Sequence, residues 1–317
     1  MLSTDIILMV GLPASGKSLI TKEYENLGYK IISLDKKTMH SATETTTLER
    51  EIKNNKIVVD NTNTTLETRK VFIDFAKNNN FTIGSHWINT TKDDCLINSL
   101  NRMFDRHGEI YLHLSDIPTQ FKKESNLFVI SPIFSMSKNF DKVYQSEGFD
   151  QIETTKFIRN DNYQYSNKAL FIDLDNTIRK SKGEQQYPIE KNDIEILKNS
   201  IEILKKYKSE GYIIVAVTNQ SGIAKGTLTH NKVKELVDHT NFLLDDIIDD
   251  YCYCPHLPPK DICYCRKPQS GMGIVMMHKH KLDLKSCIMV GDSTSDKTFA
   301  ERLKMNFKSP YIFFERY

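Results

Sequence analysis

An unbroken apolar run, Ile6–Val10, passes straight into Gly11-Leu12-Pro13-Ala14-Ser15-Gly16-Lys17-Ser18. So short a run leading into a glycine loop is expected to be a buried strand, with a helix opening after Gly16. Strands at Ile31–Leu34 and Ile57–Asp60 and a helix over Leu66–Ala76 continue the alternation, which implies a parallel sheet wrapped by helices. Residues 100–126 are polar and basic and are expected to form helical elements outside that sheet. A second α/β pattern begins at Ala169–Asp173, with helical apolar spacing over Ile194–Tyr207, a β-rich run over Tyr212–Val217 and a short strand at Ile288–Val290. At 317 residues there is length for two cores. The polar stretch Asn160–Lys168 serves as the linker, giving α/β domains over 1–160 and 161–317.

The first loop has the spacing G-x-x-x-x-G-K-S between a strand and a helix. Its backbone N–H groups and the helix N-terminus converge on a β-phosphate, Lys17 neutralises charge and Ser18 ligates Mg²⁺. Gly11, Ser15, Gly16, Lys17 and Ser18 are therefore the expected contacts of a bound nucleoside triphosphate such as ATP. A kinase also needs a base for the acceptor hydroxyl, and Asp35 closes the strand Ile-Ser-Leu-Asp where a carboxylate can take that proton. Asp35 is equally placed to cap a helix.

Val59-Asp60-Asn61-Thr62-Asn63, followed by Arg69 and Ala76, resembles the kinase domain of polynucleotide kinase/phosphatases. Arg102 and Arg106 one turn apart, then Gly108 and Asp116-Ile117-Pro118, are similar to that family's lid, and Glu147-Gly148-Phe149 with Ile152 resembles the domain's end. The resemblance covers residues 5 to about 158 and implies a P-loop kinase sheet. It implies that Asp35 activates a 5′-hydroxyl, that Arg102 lies near the donor nucleotide and that Arg106 stabilises the moving phosphoryl group. Thr38 stands where some members have arginine, so Lys36 or Lys37 would hold the acceptor's phosphate. Read by themselves, Asp60 and Asn63 can equally cap the following helix, and an arginine pair one turn apart is often a solvated face.

Asp173-Leu174-Asp175-Asn176-Thr177 places two carboxylates at one strand end. Like charges so close call for a cation such as Mg²⁺. The pair suits an aspartyl-phosphate mechanism, in which Asp173 attacks phosphorus and Asp175 protonates the leaving oxygen and later activates water. Thr218-Asn219-Gln220-Ser221-Gly222, Arg266-Lys267-Pro268 and Gly291-Asp292-x-x-x-Asp296 follow in order. Together these resemble the motifs of haloacid dehalogenase-type phosphatases, which implies a Rossmann-like second domain. By that resemblance Thr218 and Asn219 sit at the bound phosphate and Lys267 neutralises it. Asp173, Asp175 and Asp292 then hold Mg²⁺, and Asp296 supports the metal or the lysine. Asn176 replaces the family's common glycine and tolerates unusual backbone angles.

Cys254-Pro255-His256 and Cys263-Tyr264-Cys265 offer three thiolates and an imidazole within one loop, a tetrahedral set for a structural Zn²⁺. The loop resembles that of histidinol-phosphate and heptose-bisphosphate phosphatases, which also precedes Arg-Lys-Pro. Cys252 is a spare thiol, and reduced core cysteines or a disulfide are the alternatives to a metal. Cys95 and Cys287 read as buried thiols, His278 and His280 as solvent-facing residues of a basic helix end, and Trp87 as core.

Hydrophobic residues at 39% and charged residues at 26% are ordinary for a globular protein, and a net charge of +2 neither announces nor excludes nucleic acid. No apolar run approaches a membrane span and no charged region precedes the first strand, so an intracellular protein, cytoplasmic or nuclear, is expected. The leading expectation is an enzyme that phosphorylates 5′-hydroxyl ends and removes 3′-phosphates of DNA or RNA. The competitor is a metabolic kinase/phosphatase acting on small phosphorylated sugars or alcohols, and a third possibility is a scaffold with one dead domain. A basic groove leading to Asp35 and Asp173 would favour the first.

Overall fold

The computed structural model describes residues 1–33, 48–124, 126–156, 163–258 and 262–315. Asp35, Lys36, Lys37 and Thr38 lie outside the described residues. The chain divides into two compact units, Met1–Arg102 with Pro118–Asn160, and Met103–Ile117 with Asp161–Tyr317.

In the first unit β1 (Ile6–Val10) is buried along its whole length. It pairs in parallel with β3 (Ile57–Asp60) on one side and β4 (Ile83–Ile88) on the other. β2 (Lys30–Ser33) and β5 (Gln151–Thr155) are the parallel edges, giving the order β2-β3-β1-β4-β5. Both faces of β1 are covered, which is why it is apolar at every position rather than alternating. Ile6, Leu8 and Val10 join Phe72, Ile73 and Ala76, whereas Ile7 and Met9 join Tyr24. The first group of partners comes from the helix Leu66–Asn78, and Tyr24 belongs to α1 (Lys17–Asn26). Thr65, whose hydroxyl accepts from the N–H of Thr68, caps the former helix. The capping alternative for Asp60 and Asn63 is thereby replaced, because the chain turns once more before the helix begins.

The second unit repeats the design with the order β10-β9-β6-β11-β12, all neighbours parallel. β6 (Ala169–Ile172) is the buried centre, flanked by β9 (Ile213–Asn219) and β11 (Ile288–Val290). β10 (Asp250–Cys254) and β12 (Asn306–Lys308) are the edges. The helical reading of Ile194–Tyr207 needs correction. β8 (Ile194–Ile196) pairs antiparallel with β7 (Arg179–Ser181), and the helix begins only at Ser200, after Asn199 turns the chain with φ 64°. Among the described residues no helix is long and apolar enough to cross a membrane.

Candidate active sites

In the first unit the loop after β1 is shaped by side chains from three directions. The amides of Asn63 and Asn98 donate to the carbonyls of Met9 (2.8 Å) and Ala14 (3.0 Å), and the Thr90 hydroxyl donates to that of Ser15 (2.7 Å). Gly11 has no room for a side chain, since a Cβ there would lie 2.7 Å from Ser15 Oγ and 3.0 Å from the Ile88 carbonyl. Gly16, at φ 99°, turns the loop into α1. Lys17 arches back and donates to the carbonyls of Gly11 (2.9 Å) and Leu12 (2.8 Å), while Ser18 is exposed at the helix start. Backbone N–H groups at a helix N-terminus beside an ammonium form an anion site.

Arg102 and Arg106 both lie on the helix Lys92–His107. Arg102 donates to the Asn126 carbonyl, and Arg106 is exposed within the stretch grouped with the second unit. Arg69 is fully buried, its guanidinium held by both oxygens of Glu147 (2.7 and 3.0 Å) and by the carbonyls of Asn63 and Asp141. It closes this unit's fold. Trp87 stacks on Phe140 with ring centres 6.0 Å apart, against the core.

In the second unit Asp173 follows β6 directly, and its N–H bonds the Val290 carbonyl of β11 at 2.9 Å. Lys267, 3% exposed, sits between Asp173 (2.7 Å) and Asp296 (2.6 Å) and also donates to the Val217 carbonyl. Only glycine at 291 lets Asp296 approach so closely, because a Cβ there would meet its Cγ at 2.4 Å. Asp296 also accepts from the N–H and hydroxyl of Ser293, whose side chain caps helix Thr294–Leu303. Burial pushes the Asp173 carboxyl up to about 7, opposed by Lys267 and reinforced by Asp296 and Asp175. Asp292 is raised for the same reasons, burial first and then Asp296. Burial works to lower the Lys267 ammonium, but its two carboxylates overcome that and leave it raised. Oxygens of Asp173, Asp292 and Asp296 lie within 4.8 Å of one another. Such an acidic cluster gains from a second cation beside the lysine.

The Asp175 carboxylate is directed elsewhere than that cluster. The Arg179 guanidinium donates to one of its oxygens (2.8 Å) and the Gln220 amide to the other (3.0 Å). Arg179 is itself buried, bonded to Thr240 and the Leu236 carbonyl. Gln220 also donates to the Thr218 hydroxyl, and Asn219 brackets Lys267 by bonding both its N–H (3.0 Å) and its carbonyl (3.1 Å). Sequence reasoning gave Arg179 and Gln220 no role. Gln220 stood inside the motif Thr218-Asn219-Gln220, which was the available signal, whereas Arg179 carried none. Asn176 takes φ 60°, in the left-handed region that asparagine accepts.

Cys254, His256, Cys263 and Cys265 converge within 4.8 Å. The sulfurs of Cys254 and Cys263 are 3.8 Å apart, and His256 Nδ1 lies 3.5 Å from Cys254 and 3.2 Å from Cys265. A tetrahedral ion with Zn–S legs of about 2.3 Å sets its sulfurs about 3.8 Å apart, so the donor set fits. Cys252 is half-buried outside this group, its thiol pushed up to about 12 by burial. Strand register ties the cluster to the catalytic candidates, since Cys254 pairs with Asn219. Cys95 and Cys287 are buried thiols. The solvent-facing reading of His278 is overturned, and that of His280 holds only in part, since its ring is half-buried. His278 is buried against Phe104, and His280 bonds Asp250 at 2.6 Å, because the helix end is covered by other segments.

Residues 168–314 match the family model of polynucleotide kinase 3 phosphatase, and residues 6–118 match an AAA domain. A probable D-glycero-D-manno-heptose-1,7-bisphosphate 7-phosphatase of Thermoplasma volcanium is 39% identical over 145 residues, 44% of this chain and 97% of that protein. The D-glycero-β-D-manno-heptose-1,7-bisphosphate 7-phosphatase of Haemophilus influenzae is 35% identical over 150 residues, 44% of this chain and 80% of that protein. Among solved structures, the heptose bisphosphate phosphatase of B. bronchiseptica is 24% identical with a TM-score of 0.40, covering 45% of this chain and 79% of that one. A chain of the Pnkp1/Rnl/Hen1 RNA repair complex is 13% identical with a TM-score of 0.32, covering 96% and 94%. Residues 168–314 belong to the polynucleotide kinase 3 phosphatase family, and an AAA-type P-loop kinase domain precedes this haloacid dehalogenase-like phosphatase domain.

Proposed function

We propose that the protein heals polynucleotide ends, phosphorylating a 5′-hydroxyl with ATP and removing a 3′-phosphate. The observation that carries this reading is the Asp173–Lys267–Asp296 cluster inside the matched phosphatase region, on the same chain as the Lys17 loop. In the phosphatase reaction an Asp173 oxygen attacks phosphorus, the bond to the 3′-oxygen breaks and Asp175 protonates that oxygen. Asp175 then takes a proton from water, which attacks the aspartyl phosphate and releases inorganic phosphate. Arg179 and Gln220 fix the Asp175 carboxylate, Lys267 neutralises the phosphoryl oxygens and Thr218 hydrogen-bonds them. Mg²⁺ held by Asp173 and Asp292 would supply further neutralisation, with Asp296 fixing the lysine. In the kinase reaction the 5′-oxygen attacks the γ-phosphorus, ADP leaves and Asp35 accepts the hydroxyl proton. Lys17 and the loop would hold the β-phosphate, and Ser18 would hold the Mg²⁺ that neutralises it. Cys254, His256, Cys263 and Cys265 hold a structural Zn²⁺ that braces the loop delivering Lys267.

The identity with heptose bisphosphate phosphatases favours a second reading, a phosphatase half acting on a phosphorylated sugar. Purified protein, Mg²⁺, labelled ATP and an oligonucleotide with a 5′-hydroxyl and a 3′-phosphate separate the two. Gain of 5′ label with loss of the 3′-phosphate is expected, and DNA and RNA oligonucleotides compared side by side name the substrate. Unchanged ends, with a sugar bisphosphate hydrolysed instead, would overturn the polynucleotide reading.

A further inference from the structure

Met103–Ile117 lies outside the phosphatase match and inside the AAA match, yet it packs with the second unit. Its attachments fall on the cysteine loop and the helix behind it. The His113 ring lies parallel to that of His256, centres 4.4 Å apart and planes at 24°. The Leu112 carbonyl accepts the N–H of Tyr264, the residue between Cys263 and Cys265, at 2.8 Å. The Leu112 side chain covers Gly271, where a Cβ would approach its Cδ2 to 2.7 Å. Upstream, Phe104 stacks on His278 at 3.8 Å, and Asp105 accepts a hydrogen bond from the Tyr163 hydroxyl at 2.8 Å. His113 is in turn fixed by Ser115, whose backbone N–H and hydroxyl meet its Nδ1.

We infer that this stretch is a strap donated by the first half of the chain, in which Leu112 and His113 are positioning residues for the phosphatase centre. Lys267 stands two residues beyond Cys265. Its loop is gripped from inside by the Cys/His cluster and from outside by the strap, at His256 and at Tyr264. Residues 161–317 therefore contain every candidate catalytic group of the phosphatase but not everything that orders them. The inference rests on the phosphatase reading for its consequence and on the packing alone for its existence.

The test uses full-length His113→Ala and His113→Phe proteins with three readouts. These are amide exchange over residues 254–267, the rate of zinc release to a chelator, and kcat and KM on p-nitrophenyl phosphate. His113→Ala should exchange and release zinc about three- to tenfold faster, the effect of losing one ring pair. Its kcat should fall by a similar factor with KM little changed, since Lys267 acts on the developing charge, and His113→Phe should restore all three. Unchanged exchange and kcat in His113→Ala, or no recovery with phenylalanine, would overturn the strap. The exchange effect in a protein that purifies without zinc would support the strap and overturn the metal assignment, which separates the two failures.

Discussion

The two candidate sites hold a lysine beside a phosphate position in opposite ways. Lys17 is half-buried on a backbone loop, and two of its partners are the carbonyls of Gly11 and Leu12. Lys267 is buried and clamped between two carboxylates. Each of those backbone hydrogen bonds of Lys17 is worth about 0.5–1.5 kcal/mol net, whereas freeing Lys267 would strand buried charge. On the proposed reading, a site for a large triphosphate is built largely from main chain and glycine, and a site for chemistry on one phosphoryl group from fixed side chains.

The largest test of that contrast is Asp173→Asn, which should cut phosphatase turnover by about 10,000-fold and leave 5′-phosphorylation unchanged, as assays on one oligonucleotide would reveal. Phosphatase activity surviving in this variant would break the nucleophile assignment. The mirror experiment, Lys17→Ala, should lower kinase kcat/KM by about 1,000-fold while release of phosphate from the 3′ end continues at its usual rate. Arg179→Met should reduce phosphatase kcat by about 100-fold with KM nearly unchanged, because it lets the Asp175 carboxylate drift from its position. Gly11→Ala tests the backbone site. The clash with Ser15 and the Ile88 carbonyl should cost about 1–3 kcal/mol, read as a lower melting temperature together with weakened ATP binding.

The smallest expected effect is a pH dependence confined to the second unit. Burial, aided by Lys281, lowers His278 from 6.5 to about 4. The unfolded chain then takes a proton as pH falls through 6.5, while the folded protein stays neutral until about 4. Stability from this group is complete above the higher value and declines between the two. His278→Phe should flatten that part of the melting-temperature profile, and an unchanged slope would show that other groups carry it.

The features legible in the sequence were local ones. The strand–loop–helix of Ile6–Ser18, the Asp173-x-Asp175 strand end and the Cys/His spacing each concern residues that meet because they are close along the chain. The left-handed Asn176 was legible for the same reason. Misreadings arose where partners come from far away. His278 looked exposed because its own helix end is basic, but Phe104 covers it. Ile194–Tyr207 looked like one helix because its apolar spacing persists across the turn at Asn199.

By itself the sequence determined two α/β units and the order of their phosphate-handling motifs, since glycine conformation, strand apolarity and ligand spacing act over a few residues. Tertiary structure alone decided which partners hold Asp175, that Asp296 clamps Lys267, and that Met103–Ile117 joins the second unit. Those pairings depend on strand register and helix packing between distant segments, which no short stretch of chain encodes.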